Sequence, residues 1–187
     1  METTAKIPRR DLELLVIGTG SDGLSGMTRL TKLLFLLEKE EGMKREGADF
    51  AFTPYKAGPY SPAIYDDIEF LENLGFIETE VTSVATAPEA AELDAMSFEA
   101  LMGKEDATEL APDEYAERKF RLTEKGRKRV EDMLAKEDYQ PVADKIRRVK
   151  SRFGNISLTD LLRYVYTKYP EMATESEIKD KILGRHR

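Results

Sequence analysis

The chain has 187 residues, 41% of them hydrophobic and 35% charged, with a formal net charge of −7. That length supports one well-packed domain, or one domain with a helical extension. Cysteine is absent and the single histidine, His186, lies beside the C-terminus, which removes disulfides, thiolate nucleophiles and the usual structural zinc sites.

No run approaches the roughly 18 consecutive apolar residues of a membrane span, and Met1 to Lys6 lacks the apolar core of an export signal. The expectation is a cytoplasmic, non-catalytic protein with no membrane, metal or cofactor. Charge is unevenly spread. Residues 79 to 117 carry eleven acids against Lys104, whereas residues 118 to 152 carry thirteen bases against six acids. The overall acidity belongs to one segment, so it does not exclude a nucleic-acid partner.

In chain order, Pro8 to Ile17 reads as a short helix with Leu12, Leu15 and Val16 on one face. Gly18 to Gly26 reads as a glycine-rich loop. Thr28 to Glu41 places Leu30, Leu33, Leu34 and Leu37 at helical spacing, and Phe35 and Leu36 widen the apolar face to that of a central helix. Phe50-Ala51-Phe52 suggests a short strand. It leads into Pro54-Tyr55-Lys56-Ala57-Gly58-Pro59-Tyr60-Ser61-Pro62, a stiff hinge in which Gly58 admits a positive φ and the prolines fix theirs.

Ser61 is expected to cap a helix from Ala63 to Leu74 that opens at Pro62. Its core stripe is Ile64, Ile68 and Leu71, flanked by Tyr65, Phe70 and Leu74. Asp66, Glu69 and Asn73 face outward, with Asp67 and Glu72 beside them. Gly75 ends it, and Phe76 to Val81 alternates like a strand. Arg118 to Leu122 alternates again and should pair with it. Thr123 caps Glu124 to Leu134, and Gly126 marks a close approach to a neighbouring backbone. Val142, Ile146, Val149 and Phe153 form a later stripe. Ser157 with Asp160 makes a capping box for Leu158 to Tyr169, and Thr174 with Glu177 a second one. Tyr164, Tyr166 and Tyr169 read first as core packing, then as a dimer seam.

Gly18-Thr19-Gly20-Ser21-Asp22-Gly23 matches GxGxxG, with Glu38 and Glu40 about twenty residues on. A dinucleotide site needs a strand before the glycines and an acid ending a second strand; here both acids end a helix, so an interhelical loop is the better reading. The pairs Asp66 with Asp67 and Glu124 with Asp132 are what charged helix faces produce and do not define an acid–base site.

Two stretches carry a likeness. Thr28-Arg29-Leu30-Thr31-Lys32-Leu33-Leu34-Phe35-Leu36-Leu37, followed by Phe52 to Pro62 and Tyr65-Asp66-Asp67, resembles the SocA-like, or Panacea, antitoxin domains, most nearly their YwgA-like branch. Arg121-Leu122-Thr123-Glu124-Lys125-Gly126-Arg127 resembles the wing-to-helix join common in winged-helix proteins. The resemblance implies a winged-helix-like fold, no known catalysis, and neutralisation of a toxin or regulation of a partner.

The expected architecture is mainly α with a small β wing. A winged-helix-like domain spans residues 8–137 with an acidic insertion, 83–117, inside the wing, and a C-terminal helical extension spans 138–187. The expected function is non-catalytic partner binding of the antitoxin or regulator type through Tyr55, Lys56, Gly58, Pro59, Tyr60, Ser61 and Tyr65. The alternative is a DNA-binding transcriptional regulator using Arg118, Lys119, Arg121, Lys125, Arg127, Lys128, Arg129, Lys145, Arg147, Arg148, Lys150 and Arg152. A homodimer through the C-terminal helices is a further expectation, and the acidic insertion is expected to screen the basic surface.

Overall fold

The computed structural model describes residues 6–20, 23–83 and 116–184. Residues 84–115 of the acidic insertion, its screening of the basic surface, Ser21, Asp22 and His186 lie outside those residues. Helix α1, Arg9–Gly18, is followed by strand β1, Leu24–Ser25, and helix α2, Met27–Glu40. A hairpin of β2, Thr53–Tyr55, and β3, Gly58–Tyr60, leads into α3, Pro62–Asn73. Strands β4, Ile77–Ser83, and β5, Ala116–Leu122, precede α4, Glu124–Leu134. Helices α5, Gln140–Phe153, α6, Leu158–Lys168, and α7, Lys179–Leu183, complete the chain. The protein is mainly α with a small antiparallel wing, and its three-stranded sheet has the order β1-β5-β4.

Because Leu24 pairs with Phe120 and Ser25 with Lys119, the expected glycine-rich loop contains a strand. Two residues carry too little pattern to announce a pairing made almost a hundred residues away. At the wing, β4 and β5 pair as expected, from Ile77 opposite Leu122 to Ser83 opposite Ala116.

Helix α2 is buried from Leu30 to Leu37 and forms the axis of the core. Phe35 meets Phe52 edge-on at 5.3 Å and Tyr169 at 5.1 Å, so one ring ties the hairpin's approach to the C-terminal helices. Truncating such a fully buried ring costs about 3–5 kcal/mol. Val142, Ile146, Val149, Phe153, Leu161, Leu162, Val165 and Ile182 join the same cluster, so the residues after 137 share one core with those before it.

Helix α1 departs from its expected one-sided burial: every residue from Asp11 to Ile17 is buried. Asp11 is held by Arg129 (2.9 Å) and the Tyr139 hydroxyl (2.6 Å). Glu13 is 0% exposed, and neither carboxylate oxygen has a hydrogen-bond partner among the described residues. Burial, then the nearby Asp67 charge, raise its pKa well above the ordinary 4.5.

At Thr123, Gly126 and Ser157 the local signals act as expected. The Thr123 hydroxyl accepts from Gly126 N (3.1 Å), and the Ser157 hydroxyl accepts from Asp160 N (3.0 Å). A Cβ on Gly126 would stand 1.9 Å from the Phe76 carbonyl oxygen, which accounts for glycine there. The box expected at Thr174 and Glu177 does not form; Thr174 donates instead to the Glu171 carbonyl (3.1 Å), and the last helix starts later, at Lys179.

Candidate recognition face

The hinge is a two-stranded hairpin, with Thr53 opposite Tyr60, Pro54 opposite Pro59 and Tyr55 opposite Gly58. The strand expected at Phe50-Ala51-Phe52 is displaced because Ala51 takes φ +50, a left-handed value that interrupts an extended run. Gly58 does adopt a positive φ, +87, and a Cβ there would sit 2.6 Å from the Tyr166 ring. Sequence reasoning found the glycine and missed the ring that demands it.

Lys32, Glu177 and Ser61 hold the hairpin. The Lys32 ammonium donates to the Pro59 carbonyl (3.0 Å) from within the core. Glu177 N donates to the Lys56 carbonyl (3.0 Å), and its carboxylate pairs with Lys56 (3.4 Å). Ser61 forms no helix cap; it is buried, and its hydroxyl donates to the Phe50 carbonyl (2.6 Å). Gly58, Pro59 and Ser61 are buried, so of the expected binding residues these three shape the hairpin and do not reach a partner.

The tyrosines behave differently. Tyr55, Tyr60 and Tyr65 are half-buried and stack in series, with centroids 5.0 Å apart for the first pair and 5.8 Å for the second. Burial first, then Tyr55 and Asp66, raise the Tyr60 pKa above its ordinary value. Each ring braces the next, so a rigid aromatic strip is presented with little rotamer freedom left to lose.

Tyr65 belongs to α3, whose outer side carries further exposed residues. Phe70 and Leu74, expected to flank the core, are 40% and 43% exposed. The Arg10 guanidinium lies over the Phe70 ring at 3.7 Å. Asp66, Glu69 and Glu72 are exposed and enter no ion pair among the described residues. Asp67 corrects the sequence reading: it is 1% exposed, and it accepts from Arg9 (2.9 Å) and Arg10 (2.7 Å). Both arginines lie more than fifty residues away, so helical spacing alone left Asp67 on the outer flank. The available signal for the face was the absence of any Arg or Lys between Pro62 and Glu80.

The basic residues of the alternative reading are largely engaged. Arg121 pairs with Glu80 (3.1 Å), Arg129 with Asp11, Lys145 with Glu46, Arg147 with Asp144, Arg148 with Glu41 (2.6 Å) and Arg152 with Glu40 (3.5 Å). Lys125 donates to the Leu74 carbonyl (2.7 Å) and Arg127 to the Leu122 carbonyl (2.9 Å). Lys150 donates to the carbonyls of Val16 (2.9 Å) and Thr19 (2.6 Å), and burial lowers its pKa to about 8. Arg118 and Lys119 lie half-buried on β5, and Lys128 is exposed on α4.

The glycine run cannot serve a dinucleotide in the usual way. Helix α1 precedes it where a strand is required, and Glu38 is buried, accepting from Phe50 N (3.0 Å).

The fold and this face define a mainly α, winged-helix-like chain that carries an aromatic and acidic surface. The chain matches no family model and no curated protein.

Proposed function

We propose that the protein is a non-catalytic binding protein of the antitoxin or regulator type, which neutralises or regulates a protein partner. The partner docks on the tyrosine ladder and the outer side of α3, and it brings a basic, partly apolar element. The observation that carries this reading is the stacked series Tyr55, Tyr60 and Tyr65, with Phe70 exposed further along the helix that bears Tyr65 and Leu74 exposed at its end. Braced tyrosines are efficient anchors because they remove much apolar area from water at small entropic cost. The exposed carboxylates add selectivity, favouring a basic partner and repelling an acidic one.

The same carboxylates oppose nucleic acid at α3, the helix that reads DNA in many winged-helix proteins, because each would be repelled by phosphate. The SocA-like resemblance points the same way, toward a protein partner such as a toxin. A DNA-binding transcriptional regulator has less support, since most of its basic residues are held by this chain's own acids and carbonyls. The C-terminal helices bury their apolar sides within the chain, and no homodimer is invoked. Membrane insertion is not invoked either: no helix among the described residues is long and apolar enough to cross a bilayer.

The test is affinity capture with the tagged full chain and with Tyr60→Ala, after matching their melting temperatures. A protein retained by the parent and lost from the variant supports the reading. Identical retention by both, with equal stability, contradicts it.

A further inference from the structure

Helix α3 places a carboxylate one turn from each of its two aromatic residues. Tyr65 and Glu69 are four residues apart, as are Asp66 and Phe70, and side chains at that spacing are neighbours on a helix surface. Tyr65 is half-buried, while Asp66, Glu69 and Phe70 are exposed. With Glu72, the two acids put three negative charges within seven residues. No Arg or Lys lies between Pro62 and Glu80, so these acids have no basic neighbour along their own helix. The face is complementary in charge to a cationic partner.

The protein itself shows which cation a ring and a carboxylate of α3 can take together. The Arg10 guanidinium lies 3.7 Å from the centre of the Phe70 ring, and its Nε donates to the Asp67 carboxylate at 2.7 Å. One guanidinium thus meets both groups at once.

The chemistry of the two basic side chains explains why this favours arginine. A guanidinium is planar and weakly hydrated, so it can stack on a ring while its N–H groups donate to a carboxylate. An ammonium is a compact, strongly hydrated point charge, which gives up more water to sit on a ring and cannot bind a carboxylate through a planar fork.

We propose that the partner docks through an arginine-bearing segment, one guanidinium of which stacks on Tyr65 and donates to Glu69. Asp66 and Glu72 take further basic side chains of the same segment. This inference rests on the tyrosine ladder and α3 being the docking face, and it adds the residue type that the face selects.

The experiment is fluorescence anisotropy of the full chain with two labelled nonapeptides, in which either arginine or lysine alternates with alanine, at about 150 mM salt. It is repeated on Glu69→Gln, Tyr65→Leu and Tyr60→Ala. Glu69 is exposed, so Glu69→Gln should keep the parent's melting temperature. The arginine peptide should bind about fivefold tighter than the lysine peptide, and Glu69→Gln and Tyr65→Leu should each remove that preference. Equal affinity for the two peptides overturns the arginine assignment, and the docking face still stands if Tyr60→Ala weakens both. An arginine preference that survives both α3 substitutions means that the guanidinium is taken up elsewhere on the chain, and it overturns the proposal. Absence of binding by the arginine peptide overturns it too, while the capture comparison with Tyr60→Ala judges the docking face separately.

Discussion

Helices α3 and α5 both carry dense charge on their outer sides, yet they differ in what that charge can do. On α5, Lys145, Arg147, Arg148 and Arg152 are matched with Glu46, Asp144, Glu41 and Glu40. On α3, Asp66, Glu69 and Glu72 stand exposed with no ion pair among the described residues, and the same helix bears exposed Phe70 and the last ring of the tyrosine ladder. Residues 118 to 152 carry the larger charge excess by formula, but much of it is neutralised where it stands. A charge count along a sequence measures composition, and only pairing shows how much charge remains for a partner.

The largest effect expected of this contrast is on binding. Tyr60→Ala should weaken partner affinity by about 2 kcal/mol or more, roughly thirtyfold, because a central braced aromatic behaves as a hot spot. Arg148→Ala should leave that affinity unchanged. Surface plasmon resonance with the captured partner distinguishes the two.

The inner side of α3 supplies the next test. Asp67→Ala removes the buried acceptor of Arg9 and Arg10, and urea unfolding should show a loss of about 2 kcal/mol. The loss falls below that of a fully buried pair because both guanidinium groups, 39% and 44% exposed, can rehydrate. An unchanged urea midpoint would mean that the inner carboxylate is as idle as the outer ones.

Glu13 gives a smaller, pH-dependent effect. Burial first, then Asp67, raise its pKa above 4.5. Between 4.5 and the raised value the unfolded chain has lost a proton that the folded chain keeps, so stability falls as pH rises through that window. Glu13→Gln should flatten the slope, with a gain of about 1 kcal/mol at about pH 8 that shrinks toward about pH 4. Urea midpoints across pH check it; a parallel shift at every pH would contradict it.

The smallest effect belongs to the basic side. Arg148→Ala, which breaks an exposed pair with Glu41, should change stability by less than about 1 kcal/mol. Thermal melts at low and high salt measure it.

What the sequence disclosed follows from the range of the interactions involved. Helices α1 to α6 and the pairing of β4 with β5 rest on periodicity, and Thr123, Gly126 and Ser157 act on backbone within a few residues or at an element join. Contacts that needed distant partners were hidden. Ser61 carried a cap's local signal, but the Phe50 carbonyl captures its hydroxyl. Phe70 and Leu74 have helical core spacing, yet no element among the described residues buries them, and Arg10 lies over Phe70. The hairpin's tyrosines were legible as a group, while their stacking and the hold of Tyr166 and Glu177 on the hairpin were not.

The central claim is that the acidic, aromatic side of this protein meets its partner and the basic side does not. Site-specific photo-crosslinking tests it most directly, with a photoreactive residue in place of Glu69 in one variant and Arg148 in another. The account predicts a discrete protein adduct from position 69 and none from position 148. An adduct from position 148 alone, to protein or to nucleic acid, would contradict it.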